Sequence, residues 1–135
     1  MTSPANSIAR AVGFIEDHLR DEIGVEDIVA QAALYSPFHF TRLFGILSGE
    51  TPGGYLRKRR LSAAARDLVD TKQSVLQIAL NYRFRSAEAF ARSFKHQFGL
   101  SPTQHRRERA FLHLVDPVQA EQLGARAGAD PAPAP

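Results

Sequence analysis

The sequence predicts an all-α fold in which two similar pairs of helices are joined by a long connecting helix. Three observations lead to this prediction: the chain repeats itself at a spacing of 50 positions, apolar residues recur at helical spacing, and capping residues stand where helices should begin and end. A length of 135 residues fits one domain or two small fused ones.

The repeat matches residues 25–52 with residues 75–102 without a gap. Its matched pairs are Val25 with Val75, Ile28 with Ile78, Ser36 with Ser86, Phe40 with Phe90, Arg42 with Arg92, Phe44 with Phe94, Gly49 with Gly99 and Pro52 with Pro102. Two copies are too few for a solenoid. The repeat therefore indicates two similar subdomains joined by a connector.

Each copy is predicted to contain a short helix, a tight turn and a second helix. Ser36 and Ser86 stand where a hydroxyl can cap the backbone N–H groups at the start of the second helix, and Pro37 suits its first turn. Gly49 and Gly99 suit the left-handed residue that ends a helix. This arrangement is a helix-turn-helix.

The second helix of each copy has one apolar and one polar face. Two phenylalanines four positions apart share the apolar face, and the arginine between them points away from it. These residues are Phe40, Phe44 and Arg42 in the first copy and Phe90, Phe94 and Arg92 in the second. We therefore expect the phenylalanines to be buried and the arginines to be exposed.

The repeat and the composition divide the chain into four segments. These are a first helix-turn-helix subdomain, a connecting helix, a second helix-turn-helix subdomain and a tail, at residues 1–51, 52–71, 72–114 and 115–135. An amphipathic helix with Ile8, Val12, Ile15 and Leu19 on its apolar face precedes the first copy and should cover it. The tail is rich in Ala, Gly and Pro, cannot bury enough apolar surface to order itself, and is expected to be disordered.

Basic charge is concentrated in the middle of the chain. Residues 51–110 hold 13 Arg or Lys against 4 Asp or Glu, a balance of +9, whereas the whole chain carries +3. Such a segment suits a polyanion, and a solvated basic face without a ligand is the alternative.

Cysteine is absent from the sequence. This excludes disulfides, thiolate zinc sites and thiol nucleophiles, and it is common in proteins of a reducing compartment. The sequence also contains no apolar run of the length that a membrane span needs. We expect a soluble, cytoplasmic protein.

A helix-turn-helix places its second helix in the major groove of DNA, where the outer face meets base edges. The outer faces here carry Pro37, Phe38, Thr41, Arg42 and Gly45 in the first copy, and Ala87, Glu88, Ala91, Arg92 and Lys95 in the second. Arginine can donate two bonds to guanine, threonine can bond a base, and alanine fits beside a thymine methyl group. Recurrence of the arginine at equivalent positions favours base contact over simple solvation.

Two features leave alternatives open. Phe38 precedes a buried phenylalanine by two positions, so it either contacts DNA or packs against the first helix of its own unit. The run of four basic residues at 57–60 cannot place every side chain on one face. We therefore expect some of these four side chains to contact phosphates and one of them to lie in the interior.

Residues 8–106 resemble the AraC/XylS family of bacterial transcription regulators. The most specific matches are Ile78, Ala79, Phe84, Phe90, Arg92, Phe94, Phe98, Gly99, Ser101, Pro102 and Arg106. Less specific support comes from Ser36, Pro37, Phe44, Gly49, Tyr55, Arg60 and Ala64. The resemblance implies seven helices and two recognition helices that enter successive major grooves of double-stranded DNA.

The resemblance also implies which residues contact DNA. Base contacts are expected from Phe38, Thr41, Arg42, Ala87, Glu88, Ala91 and Arg92. Phosphate contacts are expected from Ser36, Arg57, Lys58, Arg59, Ser86, Lys95 and Arg106. No cofactor or metal is expected.

The sequence departs from the family pattern at two points. Arg83 stands where the family usually has glycine, so we expect a turn that would prefer glycine. These 135 residues do not contain the separate effector-binding or dimerisation domain that most members have. Of a small stand-alone member and an excised DNA-binding half, we favour the first, because Met1 opens a polar leader and Pro135 closes a plausible natural tail. A stand-alone member is expected to bind DNA as a monomer.

Two other function classes are alternatives to DNA binding. An enzyme is disfavoured because the histidines show no HExxH or i, i+4 metal pairing, at His18, His39, His96, His105 and His113. A helical protein-interaction module or anti-regulator is the alternative, since the first helix is acidic at Glu16, Asp17, Asp21 and Glu22. In a regulator the same acidic face could contact RNA polymerase.

Overall fold

The structure, a computed structural model, describes residues 3–32, 35–109 and 117. Over these residues it forms seven α-helices and one turn of 3-10 helix, with no strand. The helices are α1 (Pro4–Asp17), α2 (Val25–Val29), the 3-10 turn (Ala30–Ala32), α3 (Pro37–Ser48), α4 (Pro52–Asp70), α5 (Val75–Asn81), α6 (Ala87–Phe98) and α7 (Pro102–Glu108). The predicted all-α, seven-helix fold is confirmed. Apart from Pro117, the tail predicted to be disordered lies outside the described residues.

The repeat of 50 positions is preserved in the helices. α3 and α6 each contain 12 residues and begin at equivalent positions. The hydroxyl of Ser36 accepts the N–H of the third helical residue at 3.1 Å, and that of Ser86 does so at 3.0 Å. Gly49 and Gly99 follow the helices with φ of +83° and +84°. These predicted caps are confirmed, because each serine and glycine satisfies the local geometry of a helix end.

The first compact unit comprises residues 3–18 and 23–56, apart from 33 and 34. Its core contains Ile8 and Ile15 of α1, together with Phe40 and Phe44 of α3. The rings of Phe40 and Phe44 lie 5.7 Å apart, and Phe44 meets Tyr55 at 5.6 Å. α1 therefore covers the first helix-turn-helix as predicted.

Leu19 departs from the sequence prediction. α1 ends at Asp17, so Leu19 lies in the turn that follows and is buried within the second unit.

The second unit comprises residues 19–22 and 57–109 in the described chain. Phe90 and Phe94 of α6 are fully buried, with ring centroids 5.6 Å apart, and Phe84 packs against Phe90 at 5.1 Å. His105 of α7 is also buried, and its Nε2 donates to the carbonyl of Ala65 at 3.0 Å. Burial of these rings fixes which face of α6 is turned inward.

Residues 19–22 are held in the second unit by hydrogen bonds from two arginines. Arg60 donates to the carbonyls of Leu19 and Asp21 at 2.9 and 2.7 Å, and Arg83 donates to the carbonyl of Arg20 at 2.8 Å. Burial lowers the pKa of the Arg60 guanidinium, and the positive charge of Arg83 lowers it further. Three successive carbonyls of this segment thus have charged donors.

The side chain of Arg20 completes these contacts. It pairs with Asp67 at 2.9 Å, and the hydroxyl of Tyr82 donates to the same carboxylate at 2.8 Å. Burial raises the pKa of the Tyr82 hydroxyl. The phenol therefore stays protonated and able to donate.

Arg83 adopts a left-handed conformation with φ of +67°. Its N–H donates to the carbonyl of Leu80 at 3.1 Å, and the N–H of Phe84 donates to that of Ala79 at 3.0 Å. This pair of bonds is the Schellman motif, whose left-handed position glycine usually fills. The expectation that this turn would prefer glycine is confirmed in its backbone geometry.

Arg83→Gly is expected to change the free energy of unfolding by less than about 1 kcal/mol. Relief of left-handed strain gains about 1–2 kcal/mol, the freedom of glycine in the unfolded chain returns about 0.5–1 kcal/mol, and the lost bond to Arg20 costs about 1 kcal/mol. Arg83→Ala loses the same bond and keeps the strain, so it should unfold more easily than Arg83→Gly by about 1 kcal/mol. Urea unfolding of the three proteins measures this, and equal stability of the Ala and Gly variants would contradict it.

Candidate nucleic-acid interface

The outer face of α3 carries the residues predicted to read bases in the first unit. Phe38 is 78% exposed, Arg42 is exposed, and Thr41 is partly exposed. They lie opposite the buried Phe40 and Phe44. The alternative in which Phe38 packs against the first helix of its own unit is wrong, because its ring is open to solvent.

The start of α3 is fixed locally. Pro37 occupies its first position, where no N–H is needed, and Ser36 caps the free N–H of His39. The ring of Tyr35 meets that of His39 edge-on at 5.1 Å. Phe38 is thereby presented from the first turn of a capped helix.

The outer face of α6 carries the corresponding residues of the second unit. Glu88, Arg92 and Lys95 are exposed, and Ala87 and Ala91 are partly exposed. The opposite face is buried through its phenylalanines. The structure thus places all the predicted base-reading residues of this helix on one open surface.

A shallow depression of about 470 Å³ lies on this outer face of α6. It is lined by Glu88, Ala91, Arg92, Lys95, His96 and Ser101. The methyl group of Ala91 is here surrounded by charged side chains of both signs. This surface offers a hydrogen-bond acceptor, several donors and an apolar contact, which are the groups that read base edges.

A second concave surface, which we call the basic cleft, lies between α6 and the start of α4 within the second unit. It has a volume of about 600 Å³ and is lined by Arg57, Lys58, Leu61, Arg92, Ser93, His96 and Gln97. Arg92 and His96 border both the basic cleft and the depression. Cationic donors on two helices therefore converge beside the face of α6 that is predicted to read bases.

Four residues that line the basic cleft were not among the predicted DNA contacts: Leu61, Ser93, His96 and Gln97. The spacing of four positions between Arg92 and His96 could have indicated that they share a face. The approach of α4 to α6 depends on tertiary packing, so no local pattern shows that the cleft forms.

Of the three α4 residues predicted to contact phosphates, two are accessible and one is buried. Arg57 is exposed and Lys58 is partly exposed, and both line the basic cleft. Arg59 is only 4% exposed. Its predicted phosphate contact is therefore corrected, because its side chain is the member of the basic run that lies in the interior.

The remaining predicted phosphate ligands lie at helix ends or on α6. Lys95 is exposed, whereas the hydroxyls of Ser36 and Ser86 accept helix N–H groups. Arg106 is partly buried and donates to the carbonyl of Leu68 at 2.8 Å, at the end of α4. These bonds give the two serines and Arg106 structural roles, and their phosphate contacts stay predictions.

Metal binding and membrane insertion are two further properties that bear on function. No group of three or more His, Cys, Asp or Glu side chains that could hold a metal ion occurs among the described residues. No helix within the described part of the chain is long and apolar enough to cross a membrane.

Known proteins resemble this chain over most of the two helix-turn-helix units. A family model described as "Helix-turn-helix domain" matches residues 29–108. The Transposon Tn10 TetD protein of Escherichia coli is 41% identical over 93 residues, which are 69% of this chain and 67% of that protein. The HTH-type transcriptional activator AarP of Providencia stuartii is 37% identical over 99 residues, 73% of each chain.

Other curated relatives are much longer. The right origin-binding protein of Escherichia coli K12 is 40% identical over 94 residues, 70% of this chain and 32% of that protein. An uncharacterised regulator of Bacillus subtilis is matched over 34% of its length. The chain spans about a third of the length of such relatives.

Solved structures agree with these matches. The DNA-binding domain of AdpA, described in complex with a target DNA, is 33% identical with a TM-score of 0.70, covering 75% of this chain and 90% of that one. An AraC-type regulator from Chromobacterium violaceum is 28% identical with a TM-score of 0.71, covering 77% and 92%. The chain therefore belongs to the AraC-type family of helix-turn-helix DNA-binding domains.

Proposed function

We propose that this chain binds double-stranded DNA at specific sequences to regulate transcription, with α3 and α6 as recognition helices in successive major grooves. The observation that carries the proposal is the pair of open polar faces at equivalent positions of α3 and α6, each opposite two buried phenylalanines. Family membership and the DNA complex of the related AdpA domain support it.

The chemistry of each side chain indicates which part of the DNA it would contact. Arg42 suits bidentate contact with guanine, and Thr41 suits a base edge or a thymine methyl group. Arg92 borders both the depression and the basic cleft and suits guanine or a neighbouring phosphate. Glu88 can accept from cytosine. Arg57 and Lys58 suit backbone phosphates, which position the protein without reading sequence.

We further propose RNA polymerase as a protein partner, a monomeric state on DNA and a cytoplasmic location. Exposed acidic residues support a protein contact, although Asp21 and Glu22 follow the end of α1 at Asp17 and do not lie on the first helix as predicted. The alternative function is a helical interaction module that does not bind DNA, which the same residues favour. A gel shift with genomic fragments separates the two, since the alternative requires no shift.

DNA affinity is expected to fall steeply with salt. If the basic segment releases counterions from phosphates, log K should decrease linearly with log salt concentration, with a slope of roughly −4 to −8. Fluorescence anisotropy from low to moderate salt measures the slope. A flat salt response would remove the support for a polyanionic ligand.

Arg57→Ala is expected to weaken binding to cognate and random duplexes equally, because phosphates are the same in both. Arg10→Ala, an exposed arginine of α1, is the matched control and should leave affinity unchanged. Binding constants for both duplexes check this. A loss confined to the cognate duplex would show that Arg57 reads a base.

Arg42→Ala is expected to erase preference at one or two base pairs of the half-site that α3 reads. Loss of a bidentate contact to guanine costs about 1–3 kcal/mol of discrimination. Arg92→Ala should do the same in the other half-site if Arg92 reaches a base, and should weaken all duplexes alike if it binds phosphate. Selection of bound duplexes by each variant shows the preferences, and an unchanged motif with Arg42→Ala would contradict base reading by α3.

Glu88→Ala is expected to bind random DNA at least as tightly as the parent while losing selectivity. A carboxylate that faces DNA either accepts a bond from cytosine or repels phosphates at wrong sites, and its removal lowers both forms of discrimination. Glu88→Gln keeps an acceptor without the charge and separates the two effects. If the ratio of cognate to random affinity is the same in all three proteins, Glu88 lies outside the interface.

A further inference from the structure

The basic cleft contains more donors than base reading by α6 requires. Arg57 of α4 and Arg92 of α6 line it from two helices, and both are exposed. Lys58 adds a third cationic side chain, and Ser93 and Gln97 add neutral polar groups. Such a concave arrangement of donors matches a tetrahedral anion with several acceptor oxygens.

His96 occupies the position that joins the basic cleft to the recognition face. It is exposed, lies one helical turn after Arg92, and borders both the cleft and the depression around Ala91. A group at this boundary can reach the backbone phosphate next to a base that α6 reads. Phosphates flank every base in a groove, so the two contacts are compatible.

We propose that Arg57, Arg92 and His96 clasp one backbone phosphate of DNA in the basic cleft, and that DNA affinity rises when His96 takes up a proton. This proposal rests on the DNA binding proposed above. The ligand is a phosphodiester of the DNA backbone.

The charged side chains that line the two concave surfaces together with His96 come from α4 and α6. Arg57 and Lys58 face it from α4, and Glu88, Arg92 and Lys95 lie on its own helix. Imidazole is the side chain whose charge ordinarily changes between pH 5 and 8. A phosphate favours the charged form of a neighbouring imidazole, so phosphate binding and proton uptake reinforce each other.

The first test is the pH dependence of DNA binding by the whole chain at constant ionic strength. Lowering the pH from 8 to 6 should tighten parent binding by an additional factor of about two to five relative to His96→Gln, the value of an exposed ion pair. His96→Lys carries a permanent charge and should show only the pH dependence of His96→Gln, with a higher affinity at pH 8. His18→Gln, at the end of α1, is the matched control and should keep the pH dependence of the parent.

The second test identifies the phosphate. A series of duplexes, each with one neutral methylphosphonate, should contain a position at which the parent loses more affinity at pH 6 than His96→Gln does, because Arg57 and Arg92 still contact that phosphate in the variant. Equal losses by the two proteins at every position would overturn the proposal.

The outcomes separate this proposal from the proposed function. DNA binding with the expected salt dependence but with the same pH dependence in the parent and His96→Gln would overturn the phosphate clasp alone. Absence of DNA binding by the parent would overturn both. Circular dichroism should show equal helix content in all variants, because His96 and His18 are not core residues.

Discussion

Burial of two phenylalanines on one face of a short helix is the constraint on which each unit depends. Phe40 and Phe44 in α3, and Phe90 and Phe94 in α6, are fully buried. A fully buried large side chain contributes about 1.5–3 kcal/mol, so rotation of either helix about its axis would be costly. The residues two positions away are consequently held outward, and the open face becomes a rigid surface for recognition.

The two units share this arrangement but differ in what they present. The first has an aromatic ring, a hydroxyl and a guanidinium on its open face, and the second has two methyl groups between charges of opposite sign. In the second unit the basic cleft adjoins that face. The two units therefore share a buried core but expose different chemical groups. The exposed side chains can differ between the units because the core does not constrain them.

Features set by local geometry could be predicted from the sequence. Serine caps, left-handed glycines and helical periodicity act within one or two turns. The left-handed Arg83 was expected because the family that the sequence resembles usually has glycine at that position. Features set by tertiary packing could not be predicted from the sequence. The burial of Arg59 depends on the orientation of α4, and the bonds from Arg60 and Arg83 to residues 19–22 join segments distant in sequence. The contribution of His96 to a cleft has the same origin.

The proposed function requires that the open faces of α3 and α6 contact DNA. A titration of the isotope-labelled chain with a selected duplex, followed by amide chemical shifts, tests it most directly. The largest changes are expected in residues 37–45, 57–58 and 87–97, and small changes are expected in the first three turns of α1. Changes confined to α1 and residues 19–22, with α3 and α6 unaffected, would contradict it.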